Sequence, residues 1–192
     1  MTQIIFGIAG KIASGKDTVA DYLQKKLKGR RQGFSDSLET VLNIYDLPIT
    51  RANLQKLSTL LRQNFSEDIL AKAMAKRIRE TKDKVIIIDG VRRKTDIQNF
   101  QTMKNFYLIY VETAIKIRFS RYIKRNQAVG DQTMTFEEFK QKDNAESEIQ
   151  IDNLKTNANF VINNNGSLEE LYQQIDKIIN LPALLPFALQ GE

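Results

Sequence analysis

The chain has 192 residues, with 29 Lys plus Arg against 23 Asp plus Glu for a net charge of +6, and it contains no Cys, His or Trp. Those absences exclude a catalytic thiol, a Ser-His-Asp triad, thiolate or imidazole metal ligation and any disulfide framework, so the chemistry must run on carboxylates, hydroxyls, Lys, Arg, backbone amides and hard, oxygen-bound metal ions. The length suits one domain with a full core and the charge favours an anionic partner; with no apolar run of membrane-spanning length and no signal-peptide pattern, a cytoplasmic protein is expected.

Short apolar runs alternate with amphipathic segments, the rhythm of an α/β fold with a parallel sheet. Ile4 to Ala9 is almost unbroken apolar sequence, as expected of a strand buried on both faces. After the turn Gly10-Lys11-Ile12-Ala13-Ser14-Gly15-Lys16, Val19, Leu23 and Leu27 recur at helical spacing, and Gly29 is placed to end that helix. A short strand is predicted at 32–35, and the stretch 35–80 is helical throughout. Further strands are predicted at 84–89, 105–112 and 159–162. Between them, Ile115, Phe119, Tyr122 and Ile123 form one face of a helix at about 100° per residue, with Arg118, Arg121 and Arg125 on its rim and Lys116 and Lys124 opposite. Capping boxes at Thr135/Glu138 and Ser167/Glu170 open helices at about 136–147 and 168–179. The tail 181–192, with Pro182 and Pro186, cannot be one regular helix.

Gly10-x-x-x-x-Gly15-Lys16 matches the Walker A pattern through its lysine and stands where that mechanism requires it, after a buried strand and before a helix. There the glycines let successive N–H groups face phosphate oxygens, the helix N-terminus adds partial positive charge, and Lys16 reaches the outer phosphates. The residue after the lysine is Asp17, not the usual Ser or Thr, and Thr18 follows. A carboxylate at that place can hold Mg²⁺ directly or through water. Asp89, after four aliphatic residues, is expected at the carboxyl edge of a strand, where it can hold the same ion or cap the following helix.

With these features the chain resembles the P-loop nucleotide kinases, in particular deoxynucleoside monophosphate kinases and dephospho-CoA-kinase-like or adenylate-kinase-like proteins. Ser14-Gly15-Lys16-Asp17-Thr18 is a version of the loop found in phage-type deoxynucleotide kinases and phosphomevalonate kinases. Phe34-Ser35-Asp36-Ser37-Leu38 resembles the family's substrate segment, and Arg51-x-x-Leu54-Gln55-x-Leu57 with Arg62 its monophosphate-binding helix. Val85 to Arg92 resembles the third-strand motif, and 118–163 the lid and last strand, although no arginine occurs from 126 to 150.

The resemblance implies a three-layer α/β/α fold with a mainly parallel five-stranded sheet: one domain over 1–192, with a core of 1–34, 81–125 and 151–180, a helical acceptor-binding lobe of 35–80, a lid of 126–150 and a tail of 181–192. It implies ATP and Mg²⁺ as cofactors. Gly10, Ala13, Ser14, Gly15, Lys16, Asp17 and Thr18 would bind the ATP phosphates, and Arg121 and Asn163 the base. Lys16, Arg121, Arg125 and Asp36 would be catalytic, and Asp17, Thr18 and Asp89 would hold the metal. Ser35, Asp36, Arg51, Gln55, Arg62 and Arg92 would bind the acceptor.

The function expected is transfer of the ATP γ-phosphoryl to a small phosphorylated acceptor, a (deoxy)nucleoside monophosphate first. Dephospho-CoA, phosphomevalonate or a non-catalytic nucleotide-binding role are the alternatives, and monomer and homodimer both stay open. Without an Asn-Lys-x-Asp signature a GTPase is disfavoured, and without a basic tail or an aromatic-interleaved patch so is nucleic acid.

Overall fold

The computed structural model describes residues 3–125, 133–144, 150–182 and 184. Strands β1 (Ile4–Ala9), β2 (Arg30–Gly33), β3 (Val85–Val91), β4 (Phe106–Glu112) and β5 (Phe160–Asn163) form one sheet in the order β2-β3-β1-β4-β5. All four pairings are parallel. The helices are α1 (Lys16–Leu27), α2 (Ser35–Ile44), α3 (Arg51–Asn64), α4 (Ile69–Glu80), α5 (Lys94–Gln101), α6 (Ile115–Arg125), α7 (Phe136–Asp143) and α8 (Leu168–Ile179).

Strand alternation divides the core into two layers. Ile4, Phe6 and Ile8 meet α1 and α8 through Val19, Leu23, Leu171 and Ile175, and Leu184 joins this layer. Ile5 and Ala9 face the other way, onto Leu38 of α2, Met74 and Ile78 of α4 and Ile97 and Phe100 of α5. Helix α3 rides on α2 and α4, turning Leu54, Leu57 and Leu61 inward. With both faces covered, β1 and β3 can be the continuous apolar runs that the sequence displays. This is the three-layer α/β/α arrangement expected. Among the described residues no helix is long and apolar enough to cross a membrane.

Several local expectations change. Strand β2 begins two residues earlier than predicted, because Arg30 and Arg31 pair with Ile86 and Ile87. Strand β3 runs past Asp89 to Val91, its register with β1 shifting near Ala9. Gly29 is not the left-handed residue at the end of α1; that is Lys28, with φ 48°. Gly29 is required for space, since a Cβ there would lie 2.7 Å from Ile87 Cδ1 and 3.0 Å from Val85 Cγ1. The two capping boxes form as read, Thr135 Oγ1 accepting from the Glu138 N–H and Ser167 Oγ from the Glu170 N–H. Helix α7 ends at Asp143, and 145–149 lie outside the described residues.

Candidate active site

The loop between β1 and α1 has a backbone that only glycine serves at its two ends. Gly10 (φ +149°) would place a Cβ 2.6 Å from the Val111 carbonyl oxygen, and Gly15 (φ +94°) 2.2 Å from Asn164 Nδ2. Ala13 is also left-handed, with φ 59°. Gly15 stands at the N-cap of α1 and offers no side chain, so the first N–H groups of the helix are left for an external acceptor. Lys16 Nζ donates to the Lys11 carbonyl (2.9 Å), folded back along its own loop.

Residues just past β4 and β5 grip this loop. The Ser14 carbonyl accepts from Asn164 Nδ2 (2.8 Å) and from Thr113 Oγ1 (2.9 Å), both partners being buried. Arg121 of α6 leans into the same corner, its Nη2 donating to the Asn164 carbonyl (3.1 Å). Its Nη1 is buried, has no hydrogen-bond partner among the described residues, and lies 3.8 Å from where a Gly15 Cβ would be. Burial lowers the Arg121 pKa from its ordinary value, with no carboxylate opposing it among the described residues. Asn163, the residue expected near the base, is exposed and holds its own turn by accepting from the Asn165 N–H (3.0 Å). The Arg125 side chain lies outside the described residues.

Arg118 departs from its expected place on the rim of the apolar stripe. It is more buried than Ile115 or Phe119 of the apolar stripe, and its two Nη atoms donate to Asp143 Oδ1 (2.5 Å) and Oδ2 (2.9 Å) while Nε donates to the Thr113 carbonyl (2.9 Å). Lys11, inside the glycine loop, reaches Asp143 (3.3 Å) and Asp152 (2.8 Å). Helix α7 is thereby fastened to the loop as well as to α6, where Phe139 packs on Phe119 and Tyr122. Burial disfavours the Asp143 charge, but the hydrogen bonds and charge of Arg118, with Lys11 behind them, outweigh it and hold the carboxyl below its ordinary pKa.

The two carboxylates expected to hold a metal converge on one cation. Arg31 Nη2 lies 2.5 Å from Asp17 Oδ1 and 2.5 Å from Asp89 Oδ2, while its Nη1 lies 2.6 Å from Asp21 Oδ1. Asp89 Oδ1 accepts from the Gly90 N–H (2.7 Å). The alternative reading of Asp89 as a helix cap is overturned, because the N–H groups of Arg92 and Arg93 ahead of α5 go to Asp96 Oδ2 (3.0 Å each). Among the described residues no three carboxylates form a ready metal cage. Two converging carboxylate oxygens already balanced by a positive group do fit Mg²⁺, which takes one or two carboxylates and completes its shell with phosphate oxygens and water. Thr18 is half-buried on the first turn of α1.

In the helical lobe, Asp36 accepts from the Gly33 N–H (2.9 Å) and pairs with Arg77 (3.3 Å). Ser35 precedes it at the start of α2. Arg62 is buried and bound to Asp96 (2.8 Å), joining α3 to the start of α5. Arg51 and Gln55 are exposed on α3, and Arg92 is exposed after β3; neither arginine has a carboxylate partner among the described residues.

No family model matches the sequence. The chain is 28% identical to a UPF0200 protein of Thermococcus kodakarensis over 94% of this chain and 97% of that one, and 29% identical to a UPF0200 protein of Hyperthermus butylicus over 93% and 94%. It spans about half the length (54%) of a UPF0200/UPF0201 protein of Archaeoglobus fulgidus, at 27% identity. Among solved structures it is similar to shikimate kinase of Bacteroides thetaiotaomicron (TM-score 0.63, 13% identity, 94% of this chain and 99% of that one). It is similar also to a gluconokinase of Sinorhizobium meliloti (TM-score 0.57, 11% identity, 98% and 94%). The fold is that of the P-loop kinases.

Within this P-loop kinase fold, sequence reading missed Arg31, Thr113 and Asn164. Arg31 stands in a strand that showed no apolar signal, and Thr113 and Asn164 are small polar residues just past β4 and β5. The one available cue was position: residues beyond the carboxyl ends of strands meet at the binding edge of an open parallel sheet.

Proposed function

We propose that the protein transfers the γ-phosphoryl group of ATP to a small phosphorylated acceptor, a nucleoside monophosphate being the first candidate. The observation that carries this reading is the buried Arg121 Nη1, an N–H group without a hydrogen-bond partner among the described residues and turned toward the glycine loop. An unbalanced buried charge is costly, and a polyphosphate cradled by the loop amides would balance it. Mg²⁺, held by Asp17 and Asp89, would neutralise phosphate charge when bound.

In the transfer the bond from the γ-phosphorus to its bridging oxygen breaks as an acceptor oxygen bonds to that phosphorus. Lys16, released from the Lys11 carbonyl, follows the outer phosphate oxygens, and Arg121 stabilises the charge that spreads over them. A phosphate acceptor is largely ionised at neutral pH, since its second pKa is about 6, so the step requires no general base. That suits a chain without His, and Asp36, already engaged by Gly33 and Arg77, then positions rather than deprotonates. The exposed Arg51 and Arg92 are the side chains to receive the acceptor phosphate, whereas Arg62 braces the lobe through Asp96.

The test is a panel assay with ATP and Mg²⁺, following ADP, with each nucleoside monophosphate, dephospho-CoA, phosphomevalonate, shikimate and gluconate. Acceleration by a monophosphate is expected, and it should vanish in Lys16→Ala with the fold intact. No acceptor raising ADP release above the ATPase background would refute the transfer; nucleotide binding without it would leave a binding protein.

A further inference from the structure

Arg31 lies on β2, outside the glycine loop, yet its guanidinium lies where the metal of the proposed reaction would be held. One nitrogen, Nη2, is 2.5 Å from both Asp17 Oδ1 and Asp89 Oδ2, so the two oxygens lie no farther apart than twice that distance. An ion bound to both at about 2.0–2.1 Å would need them within about 4.2 Å of each other and would compete with that nitrogen for the same two oxygens. The second nitrogen is fastened elsewhere, to Asp21, one helical turn farther along α1 from Asp17. The Arg31 side chain is a quarter exposed, so it has room to move toward solvent.

We propose that Arg31 is a resident counter-cation that competes with the divalent ion for Asp17 and Asp89, giving way when metal enters with nucleotide and remaining attached to Asp21. Three carboxylates around one guanidinium leave an excess of negative charge. That excess favours a divalent ion over a monovalent one once phosphate oxygens supply further ligands. Without nucleotide, Arg31 keeps Asp17 and Asp89 drawn together and makes free metal a poor ligand; with nucleotide, the phosphates tip the exchange. Arg31 is therefore a positioning residue, and it couples metal occupancy to nucleotide occupancy. The inference rests on the assignment of Asp17 and Asp89 to the metal, but not on any acceptor.

The experiment uses the full-length protein without nucleotide and titrates Mn²⁺, reading free ion by electron paramagnetic resonance. Removing a competing unit charge from a partly exposed site should tighten Mn²⁺ binding about tenfold in Arg31→Gln. Arg31→Lys, which keeps the charge but presents a single nitrogen, should give a smaller gain. Adding Asp89→Asn to Arg31→Gln should abolish the gain. In the unaltered protein, the Arg31 Nε–H resonance should shift when Mg²⁺ and ADP are added together, a measurement independent of how the variants fold. Unchanged or weaker Mn²⁺ binding in folded Arg31→Gln, a gain that survives Asp89→Asn, or an unmoved Arg31 resonance at saturating metal and ADP would each overturn the proposal. A failed acceptor panel would leave these results standing, and a successful one would not secure them.

Discussion

Asp143→Ala tests how α7 is held. Arg118 and Asp143 have side chains 5% exposed, and the carboxylate takes both Nη atoms of the guanidinium plus Lys11 at 3.3 Å. Truncating one member strands a buried charge, at a cost of about 3–5 kcal/mol. Against a total stability of about 5–15 kcal/mol that is a large fraction, and it should lower the melting temperature by about 6–20 °C in a chain of this size. Asp143→Asn keeps an acceptor and should lose only about 1–3 kcal/mol. Replacing both partners with Arg118→Met and Asp143→Leu should be less damaging than Asp143→Ala alone, because no charge is then orphaned. Urea unfolding followed by far-UV circular dichroism measures all three. A loss under about 1 kcal/mol in Asp143→Ala, or a double variant no more stable than that single one, would refute the reasoning.

Gly15→Ala should disable the loop, since the new Cβ would fall 2.2 Å from Asn164 Nδ2 at a φ of +94°; nucleotide affinity, measured by calorimetry, is expected to fall at least tenfold, and wild-type affinity would count against the geometry. Asn164→Ala removes the amide that donates to the Ser14 carbonyl and should raise the KM for ATP severalfold more than it lowers kcat. The Asp143 pKa lies below its usual 3.8, as does that of Asp68, which the Lys72 hydrogen bond lowers to about 2. A lowered folded-state pKa stabilises fully above the unfolded value and is lost as pH falls through the folded one, so stability should decline from about pH 3.8 toward 2. Denaturant midpoints across that range check it, with the slope reduced in Asp143→Asn.

The sheet, the glycine loop and both capping boxes were legible because each is a local pattern with one dominant cause: a doubly buried strand must be apolar, and a cap needs its oxygen at fixed spacing. The placement of α6 was half legible. Periodicity located its inner face but gave no hint that Arg118 would lie deeper than Phe119, because the partner that makes this tolerable, Asp143, is 25 residues away. Gly29 shows a similar limit: sequence says that a helix stops there, and only the side chains of Val85 and Ile87 explain why glycine follows the left-handed residue. Arg31 and Arg62 could not be told apart by type or spacing. One faces the carboxylates of α1 and β3 and the other braces two helices, and that difference lies wholly in tertiary contacts.

The grip of Asn164 on Ser14 has a bearing on synthesis. Strand β1 emerges first but pairs only with β3 and β4, so its apolar run waits for residues beyond 85 and 106 before it has neighbours. The bond that fixes the loop spans 150 positions. At about 5–20 residues per second, the interval from loop to clamp is on the order of ten to thirty seconds. A nascent chain halted before β5 would display the glycine motif without the amide that sets its shape, so nucleotide capture should arise abruptly and late, as a report that the chain has passed β5.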